Sequence, residues 1–183
     1  MRILAWDLEC SSLSGMIGRI LCCGFKELLP QRTSTKPYVF RGDEKPYLNK
    51  QDLADDSALA VAIRDHLELF DIVVAHNGIL FDRKFLNARL LKAGYRPLRP
   101  IFFIDTMWIV RTHHRTSSKL DNIQKFLGFP EEKTEITWDN WMRAIGGDRA
   151  AMNEVVAHVT QDVRVLEAAY WRLLPSMRTL SKK

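Results

Sequence analysis

Residues 71–105, DIVVAHNGILFDRKFLNARLLKAGYRPLRPIFFID, contain two short apolar runs on either side of a longer segment. The runs at 71–75 and 101–105 have the length of buried strands. The segment between them predicts a helix over about residues 80–93, which Gly94 ends. Strand–helix–strand alternation of this length predicts two parallel strands that are joined by a helical crossover.

Three further strand-like segments come before this unit, at residues 2–8, 20–25 and 36–40. Because the connections between them are short, they predict an antiparallel meander. The sequence therefore predicts an α/β fold with a mixed sheet, in which three antiparallel strands are followed by two parallel strands and helices flank the sheet.

Helices are also predicted before and after the crossover unit. Residues 59–70 have apolar side chains at helical spacing, and Asp56 and Ser57 are the expected caps of that helix. Towards the C-terminus, the spacing predicts one helix over residues 120–127 and a long last helix that ends at Pro175.

The composition is that of a globular protein, with 46% hydrophobic and 27% charged residues in 183. This length suits a single domain over residues 1–183. No apolar run approaches the length that crosses a bilayer, so no membrane partner is expected. A charge at Arg2 comes too early for a secretory signal, which favours a cytoplasmic location. The three cysteines, Cys10, Cys22 and Cys23, lack metal-ligand spacing and are predicted to be core residues.

The net charge is +5 and the isoelectric point is about 9.2. A basic protein favours polyanionic partners, because Lys and Arg neutralise phosphates and release counterions. The segment RTHHR at residues 111–115, with Lys119, is a candidate to follow a phosphate backbone. A charge run of this kind is also typical of a solvated loop.

The first candidate site residues are Asp7 and Glu9, at the end of the first predicted strand. Residues two apart on a strand point to the same face, so both carboxylates project to one side of the sheet. The alternative is an exposed strand end that carries two solvated charges.

Asp82 lies just past the carboxyl end of a predicted buried strand, in the first turn of the next helix. Ligands of α/β sheets bind beyond the carboxyl ends of strands. An Asp in this position also complements the helix dipole, and both roles are compatible.

His158 and Asp162 are four residues apart on the last helix and share a face. Asp162 continues an apolar stripe, so its carboxylate is aimed towards the core, where a charge is costly unless it is paired or binds a metal. The alternative is a boundary position that is partnered by Arg164 or Arg143.

Together, Asp7, Glu9, Asp82 and Asp162 form a set of oxygen ligands of the kind that suits Mg²⁺ or Mn²⁺ rather than zinc. Two such ions about 4 Å apart clamp the attacking and leaving oxygens of a phosphodiester displacement.

This set resembles the proofreading exonucleases with four catalytic carboxylates, the DEDD or DnaQ-like group of the ribonuclease-H-like superfamily. The resemblance covers about residues 2–174, and its motifs match Asp7-Leu8-Glu9 with Ser11-Ser12, His76-Asn77 with Asp82, and His158-Val159-Thr160-Gln161-Asp162. The run Ile104-Asp105-Thr106 is similar to a segment of phage-type polymerase exonuclease domains and their stand-alone relatives.

The resemblance implies a role for each matching residue. Asp7, Glu9 and Asp162 would hold one ion, and Asp7 with Asp82 would hold the second. Glu9 and His158 would position and deprotonate the attacking water. Substrate contacts are implied for the backbone of Ser11 and Ser12 at the 3′ end, for Asn77 at the terminal nucleotide, and for Leu8, Leu80 and Phe81 against the last bases, with plain core packing as the alternative for Phe81.

His158 departs from the family pattern, which has Tyr four residues before the last Asp in one branch and His five residues before it in another. Here a histidine occupies the tyrosine spacing. Histidine ordinarily titrates near pH 6.5 and suits a general base, whereas tyrosine, near 10, would mainly orient the water. The alternative is a surface histidine of the helix.

The sequence thus predicts a 3′–5′ exonuclease that uses two Mg²⁺ or Mn²⁺ ions to release nucleoside 5′-monophosphates from single-stranded nucleic acid, DNA in preference to RNA. The expected setting is a bacterial or phage-infected cell, in repair or as the proofreading partner of a separate polymerase. The alternatives are a ribonuclease or a structure-specific endonuclease on the same fold, and a non-catalytic nucleic-acid-binding module.

Asp105 is predicted to cap the helix that begins at Thr106. The alternative is a carboxylate that supports the metal ligands without binding the metal itself.

Overall fold

The computed structural model describes residues 1–29, 35–114, 117–128 and 135–178. These residues form five strands and six helices, namely β1 (Ile3–Cys10), β2 (Ile20–Leu28), β3 (Tyr38–Arg41), α1 (Ser57–Leu67), β4 (Ile72–Ala75), α2 (Asp82–Lys92), β5 (Phe102–Asp105), α3 (Thr106–His113), α4 (Leu120–Leu127), α5 (Trp138–Ile145) and α6 (Arg149–Arg178).

The strands form one sheet in the order β3-β2-β1-β4-β5. β1 pairs antiparallel with β2, and β2 pairs antiparallel with β3. β4 lies parallel to β1, and β5 lies parallel to β4. The predicted sheet of three antiparallel and then two parallel strands is therefore confirmed. Its carboxyl-terminal edge brings together the ends of β1, β4 and β5.

The two faces of β1 bury different side chains, because successive residues of a strand point to opposite sides. Leu4, Trp6 and Leu8 pack in the cluster that α1 and α2 cover. Ile3 and Ala5 pack on the other face, against residues of α6. Since Asp7 and Glu9 continue the second series, the carboxylates share the face that α6 covers.

Helix α6 lies unusually close to the sheet at Gly24. This glycine is the antiparallel partner of Asp7. A Cβ atom at Gly24 would lie 2.9 Å from Val159 Cγ2 and 2.9 Å from the Val159 carbonyl oxygen. The lack of a side chain at this position thus allows the backbone of α6 to approach the end of β1.

Two details of the helices differ from the prediction. Asp56 precedes α1, but its side chain does not cap the helix, because Arg89 binds it instead. Helix α6 also continues past Pro175 to residue 178. A proline removes only its own backbone donor and clashes with one carbonyl, so a position in the last turn disturbs few hydrogen bonds.

Asp56 is buried and joins three parts of the chain. Its Oδ1 accepts a hydrogen bond from Arg89 Nη2 at 2.7 Å, and its Oδ2 accepts one from the backbone N–H of Ile20 at 2.6 Å. The carboxylate thereby connects the start of β2, the start of α1 and the last turn of α2. These elements support the carboxyl-terminal edge of the sheet.

Asp56→Ala is expected to destabilise the protein by about 3–5 kcal/mol, because it leaves the buried Arg89 guanidinium without its partner. The melting temperature should fall by roughly 10 °C, which differential scanning calorimetry measures. Arg143→Ala, which removes an exposed pair with Asp148, is the control and should change the melting temperature little. An Asp56→Ala protein as stable as wild type would contradict the structural role of the pair.

Candidate metal centre

Helix α6 brings two side chains to the β1 carboxylates. His158 Nε2 lies 4.0 Å from Glu9 Oε1 and 3.5 Å from Asp162 Oδ2. One ligand atom from each of Glu9, His158 and Asp162 lies within 4.8 Å of the other two. Three of the five predicted catalytic residues thus meet at the contact between β1 and α6.

Asp82 reaches the same cluster from the start of α2. It lies in the first turn of α2, as predicted, where it is the first residue of the helix, and it is buried. Its charge acts on both Asp7 and Glu9, whose pKa values it raises. The structure therefore gathers all four predicted carboxylates around the end of β1.

The cluster strongly disfavours its own negative charge. Burial, and then the charges of Asp162 and Asp82, raise the pKa of Glu9 to about 8. Burial also raises the pKa of Asp82 to about 7. The pKa of Asp7 is well above its usual value, first because the carboxyl group is buried and then because Glu9, Asp82 and Asp162 repel its charge.

These properties fit a divalent cation. The donors are carboxylate oxygens with one imidazole, which is the set that Mg²⁺ or Mn²⁺ accepts and that a zinc site with cysteines lacks. Burial is the first cause of all three raised pKa values, and a bound cation would favour the ionised form of these carboxylates. The fit to a cation rests on one observation: several carboxylates lie together, and burial and neighbouring charges raise their pKa values.

The turn between β4 and α2 sets the position of Asp82. Asn77 adopts a left-handed conformation with φ of 63°, and a Cβ atom at Gly78 would lie 2.3 Å from Ala75 Cβ. Asp105 accepts hydrogen bonds from the backbone N–H groups of Asn77 at 2.9 Å and Ile79 at 3.3 Å. The turn that delivers Asp82 is therefore held from the end of β5.

Asp105 has a second set of bonds, which confirms its predicted role as a cap. Its Oδ1 accepts from the backbone N–H groups of Met107 and Trp108 at 3.0 and 3.4 Å. The bonds to the turn after β4 were not predicted. The adjacency of parallel β4 and β5 was the only signal in the sequence that pointed to them.

His76 ties the same turn to the segment before α4. Its Nδ1 lies 2.9 Å from Thr106 Oγ1, and its Nε2 lies 2.8 Å from the Ser118 carbonyl oxygen. Burial lowers the pKa of His76, which keeps the ring neutral at pH 7. In the neutral ring, Nε2–H donates to the Ser118 carbonyl oxygen, while Nδ1 lies against the Thr106 hydroxyl, which also donates to the Ala75 carbonyl oxygen at 3.2 Å.

The predicted substrate contacts fall at the same edge of the sheet, but not all expose their side chains. Leu8 is 4% exposed and belongs to the core, so its side chain offers little surface to a base, which corrects the prediction for this residue. Phe81 is partly buried and packs beside Phe85. Ser11 Oγ accepts from the backbone of Arg19, and Ser12 Oγ accepts from the backbone of Ser14.

The described residues include both arginines proposed as partners of Asp162 and all of the basic segment 111–115 except its last residue. Arg143 pairs with Asp148 rather than with Asp162. Arg111 and Lys119 are exposed, and helix α3 extends through Arg111 where the sequence predicted a loop. Arg115 of the same segment lies outside the described residues. In the described ranges, no helix has both the length and the apolarity needed to cross a membrane.

The comparisons with known proteins agree with this architecture. DNA polymerase III PolC-type from Ureaplasma parvum serovar 3 is 56% identical over 46 residues, which are 24% of this chain and 3% of that polymerase. The family B DNA polymerase of the archaeon Pyrobaculum calidifontis has a similar fold over 96% of this chain and 25% of its own, with a TM-score of 0.73 and 17% identity. This chain thus spans a small part of the length of either polymerase.

A family model described as RNase_H superfamily matches residues 7–174. The match begins at the first β1 carboxylate and extends past the α6 residues of the cluster. It includes the turn that carries Asp82. By its sequence and by the arrangement of its sheet, this chain belongs to the RNase_H superfamily.

Proposed function

We propose that this chain is a 3′–5′ exonuclease that removes nucleoside 5′-monophosphates from single-stranded nucleic acid, with DNA preferred to RNA. The observation that carries the proposal is the cluster of four carboxylates and one histidine at the end of β1. Membership of the RNase_H superfamily supports nuclease chemistry at this place. The relatives named as DNA polymerases support DNA as the substrate.

Two divalent ions, Mg²⁺ or Mn²⁺, would supply charge neutralisation at the attacking and leaving oxygens. Asp7, Glu9 and Asp162 would hold one ion, and Asp7 with Asp82 the other. The placement of Asp7 supports this assignment of ligands to the two ions, because the charges of Glu9, Asp82 and Asp162 all raise the pKa of its carboxyl group. The protein contributes a rigid set of donors from β1, α2 and α6.

The proton of the attacking water would go to His158, with Glu9 orienting the water. His158 Nε2 faces the cluster, since it lies within 4.0 Å of carboxylate oxygens from both Glu9 and Asp162. A base in hydrogen-bond reach of the water is the geometric requirement for this role. The carboxylates beside the ring would stabilise the imidazolium that forms.

The terminal nucleotide would lie between the loop after β1 and the turn after β4. The backbone of Ser11 and Ser12 would bind the 3′ end, and Asn77 would contact the nucleotide. The left-handed backbone of Asn77 supports this role, because strained conformations of non-glycine residues cluster at functional sites. We further propose that the domain proofreads for a separate DNA polymerase, in keeping with the polymerase relatives.

The direct test uses 5′-labelled single-stranded DNA and RNA oligonucleotides of the same sequence, incubated with the protein in Mg²⁺, Mn²⁺ or EDTA. A ladder that shortens from the 3′ end in either metal and stops in EDTA would support the proposal. Internal products would point to an endonuclease, and faster loss of RNA would reverse the substrate order. Intact substrates in every metal, with binding retained, would instead indicate a non-catalytic binding module.

His158→Ala is expected to lower kcat by about 10²–10⁴-fold, because the water loses its proton acceptor. Single-turnover measurements on the labelled DNA would show this loss. Asn153→Ala, an exposed change earlier on α6, is the matched control and should keep full activity. If His158→Tyr restores most of the rate lost in His158→Ala, the residue orients the water rather than accepting its proton.

A further inference from the structure

A large apolar groove runs along the outer edge of the sheet, beginning beside the candidate metal centre. It has a volume of about 820 Å³ and is lined by residues of β5, α3 and the turn after β4. β5 is the last strand on this side of the sheet. None of the four carboxylates of the metal centre lines the groove. Leu80 and Arg111 were named above as candidates to contact bases and phosphates, whereas Phe102 and Trp108 have no role so far.

The floor of this edge groove exposes large apolar and aromatic side chains. Phe102 is 65% exposed, Trp108 is 58% exposed and Leu80 is 58% exposed. All three line the same groove. Such a concentration of exposed apolar surface marks a binding site, whereas scattered single residues do not.

Positive charge accompanies the aromatic residues. Arg111 lines the groove and is exposed, with its Nε donating to Ser118 Oγ at 3.0 Å. Arg83 places its guanidinium carbon 5.5 Å from the centre of the Phe103 ring, on the side of α2. The one carboxylate that lines the groove, Asp105, is already bonded to four backbone N–H groups. The groove therefore presents aromatic faces with the guanidinium group of Arg111, and Arg83 adds a second guanidinium group beside the Phe103 ring.

The edge groove is continuous with the place where chemistry is proposed. Leu80 lies two residues before Asp82, in the turn that Asp105 holds. A strand whose 3′ end lay at the carboxylates would leave the site over this turn. The aromatic residues of β5 and α3 come next along that direction.

We propose that the edge groove binds the nucleotides upstream of the scissile one, with bases stacked on Trp108 and Phe102 and phosphates paired with Arg111 and Arg83. This inference rests on the proposed function for the direction of the strand. Stacking on aromatic faces suits single strands of any sequence, and guanidinium groups suit the phosphate backbone. Charge complementarity favours this occupant over an apolar protein partner, because Arg111 in the groove and Arg83 beside Phe103 would bring no advantage to an apolar surface.

The test measures binding without hydrolysis. Fluorescence anisotropy in EDTA would follow 5′-labelled oligothymidylates of 3 and 12 nucleotides with wild type, Trp108→Ala and Trp138→Ala. Trp138 is 76% exposed on α5, outside the groove, and so provides a matched control. Trp108→Ala keeps the backbone N–H group that donates a hydrogen bond to Asp105, so the cap of α3 is retained.

Trp108→Ala is expected to weaken binding of the 12-mer about tenfold, while Trp138→Ala binds as wild type. Binding of the 3-mer should change far less, because it ends before the groove. Arg111→Gln should reduce the slope of log affinity against log salt by about 0.7, the value for one contact to a single strand. The salt slope of Trp108→Ala should match wild type.

Unchanged binding of the 12-mer by Trp108→Ala would overturn the proposal. Analytical sedimentation of the same proteins tests whether a second copy of the chain occupies the groove instead. If wild type is a dimer that Trp108→Ala dissociates, and DNA affinity is unaltered, the groove is an interface between copies and the proposal is overturned. Because these measurements need no catalysis, they remain decisive even if wild type degrades no substrate. Conversely, normal cleavage with no effect of Trp108→Ala on affinity would reject the groove alone.

Discussion

Asp7→Asn is expected to abolish hydrolysis and, at the same time, to make the metal-free protein more stable. The substitution keeps the shape of the side chain and removes the charge that is coupled to Glu9, Asp82 and Asp162. Loss of a ligand that both ions would share removes several kcal/mol of transition-state stabilisation, or roughly 10³-fold or more in rate. The gain in stability follows because a buried carboxyl group among like charges opposes folding.

Two measurements separate these effects. Single-turnover cleavage of labelled DNA reports the rate, and thermal melting in EDTA and in Mg²⁺ reports stability. The variant should melt at a higher temperature than wild type in EDTA and should gain less from added Mg²⁺. Asp139→Asn, which changes an exposed carboxylate on α5, serves as the control. If Asp7→Asn melts at a lower temperature than wild type in EDTA, repulsion among the carboxylates does not destabilise the metal-free protein.

The second large effect is a loss of stability of the metal-free protein as pH rises from about 5 to about 8. The pKa of Glu9 rises from 4.5 when unfolded to about 8 when folded, and that of Asp82 rises from 3.8 to about 7. Between these values the folded protein keeps protons that the unfolded chain releases. The free energy of unfolding therefore falls with pH, by at most about 1.4 kcal/mol per pH unit for each such group.

Urea denaturation in EDTA at pH 5, 6, 7 and 8 measures this dependence. Because other groups also titrate, the informative quantity is the difference between wild type and Glu9→Gln, which should grow in favour of the variant across this range. Saturating Mg²⁺ should reverse the trend in wild type, because a cation binds the deprotonated carboxylates. A wild-type curve in EDTA that runs parallel to that of Glu9→Gln would contradict the raised pKa of this residue.

Much of the fold followed from simple periodicities. Alternation along β1 placed Asp7 and Glu9 on one face, and the stripe of apolar residues along α6 placed Asp162 towards that face. Both patterns are local, and both predicted elements are found in the structure. The sheet order was accessible because short connections and a helical crossover leave few topologies.

Contacts between residues far apart in the chain were not accessible in the same way. Asp56 looked like a helix cap, and nothing near it in sequence indicated that Arg89 would bind it. Leu8 looked available to a base, although the strand alternation that directs Asp7 and Glu9 to one face of the sheet directs Leu8 into the core on the other. The edge groove depends on surfaces of β5, α3 and the turn after β4 that meet only after folding. Its aromatic residues had no distinguishing spacing in the sequence.

Gly24 has a consequence for comparing members of this superfamily. Its side chain is a single hydrogen atom with no charge or hydrogen-bonding group. The distance between α6 and β1 nevertheless depends on the space that this missing side chain leaves. A larger residue here would raise the helix and carry His158 and Asp162 away from Glu9, while every acidic motif stayed intact. The presence of all four carboxylates would therefore not distinguish an active relative from an inactive one. The residue at the position of Gly24 should be compared together with them.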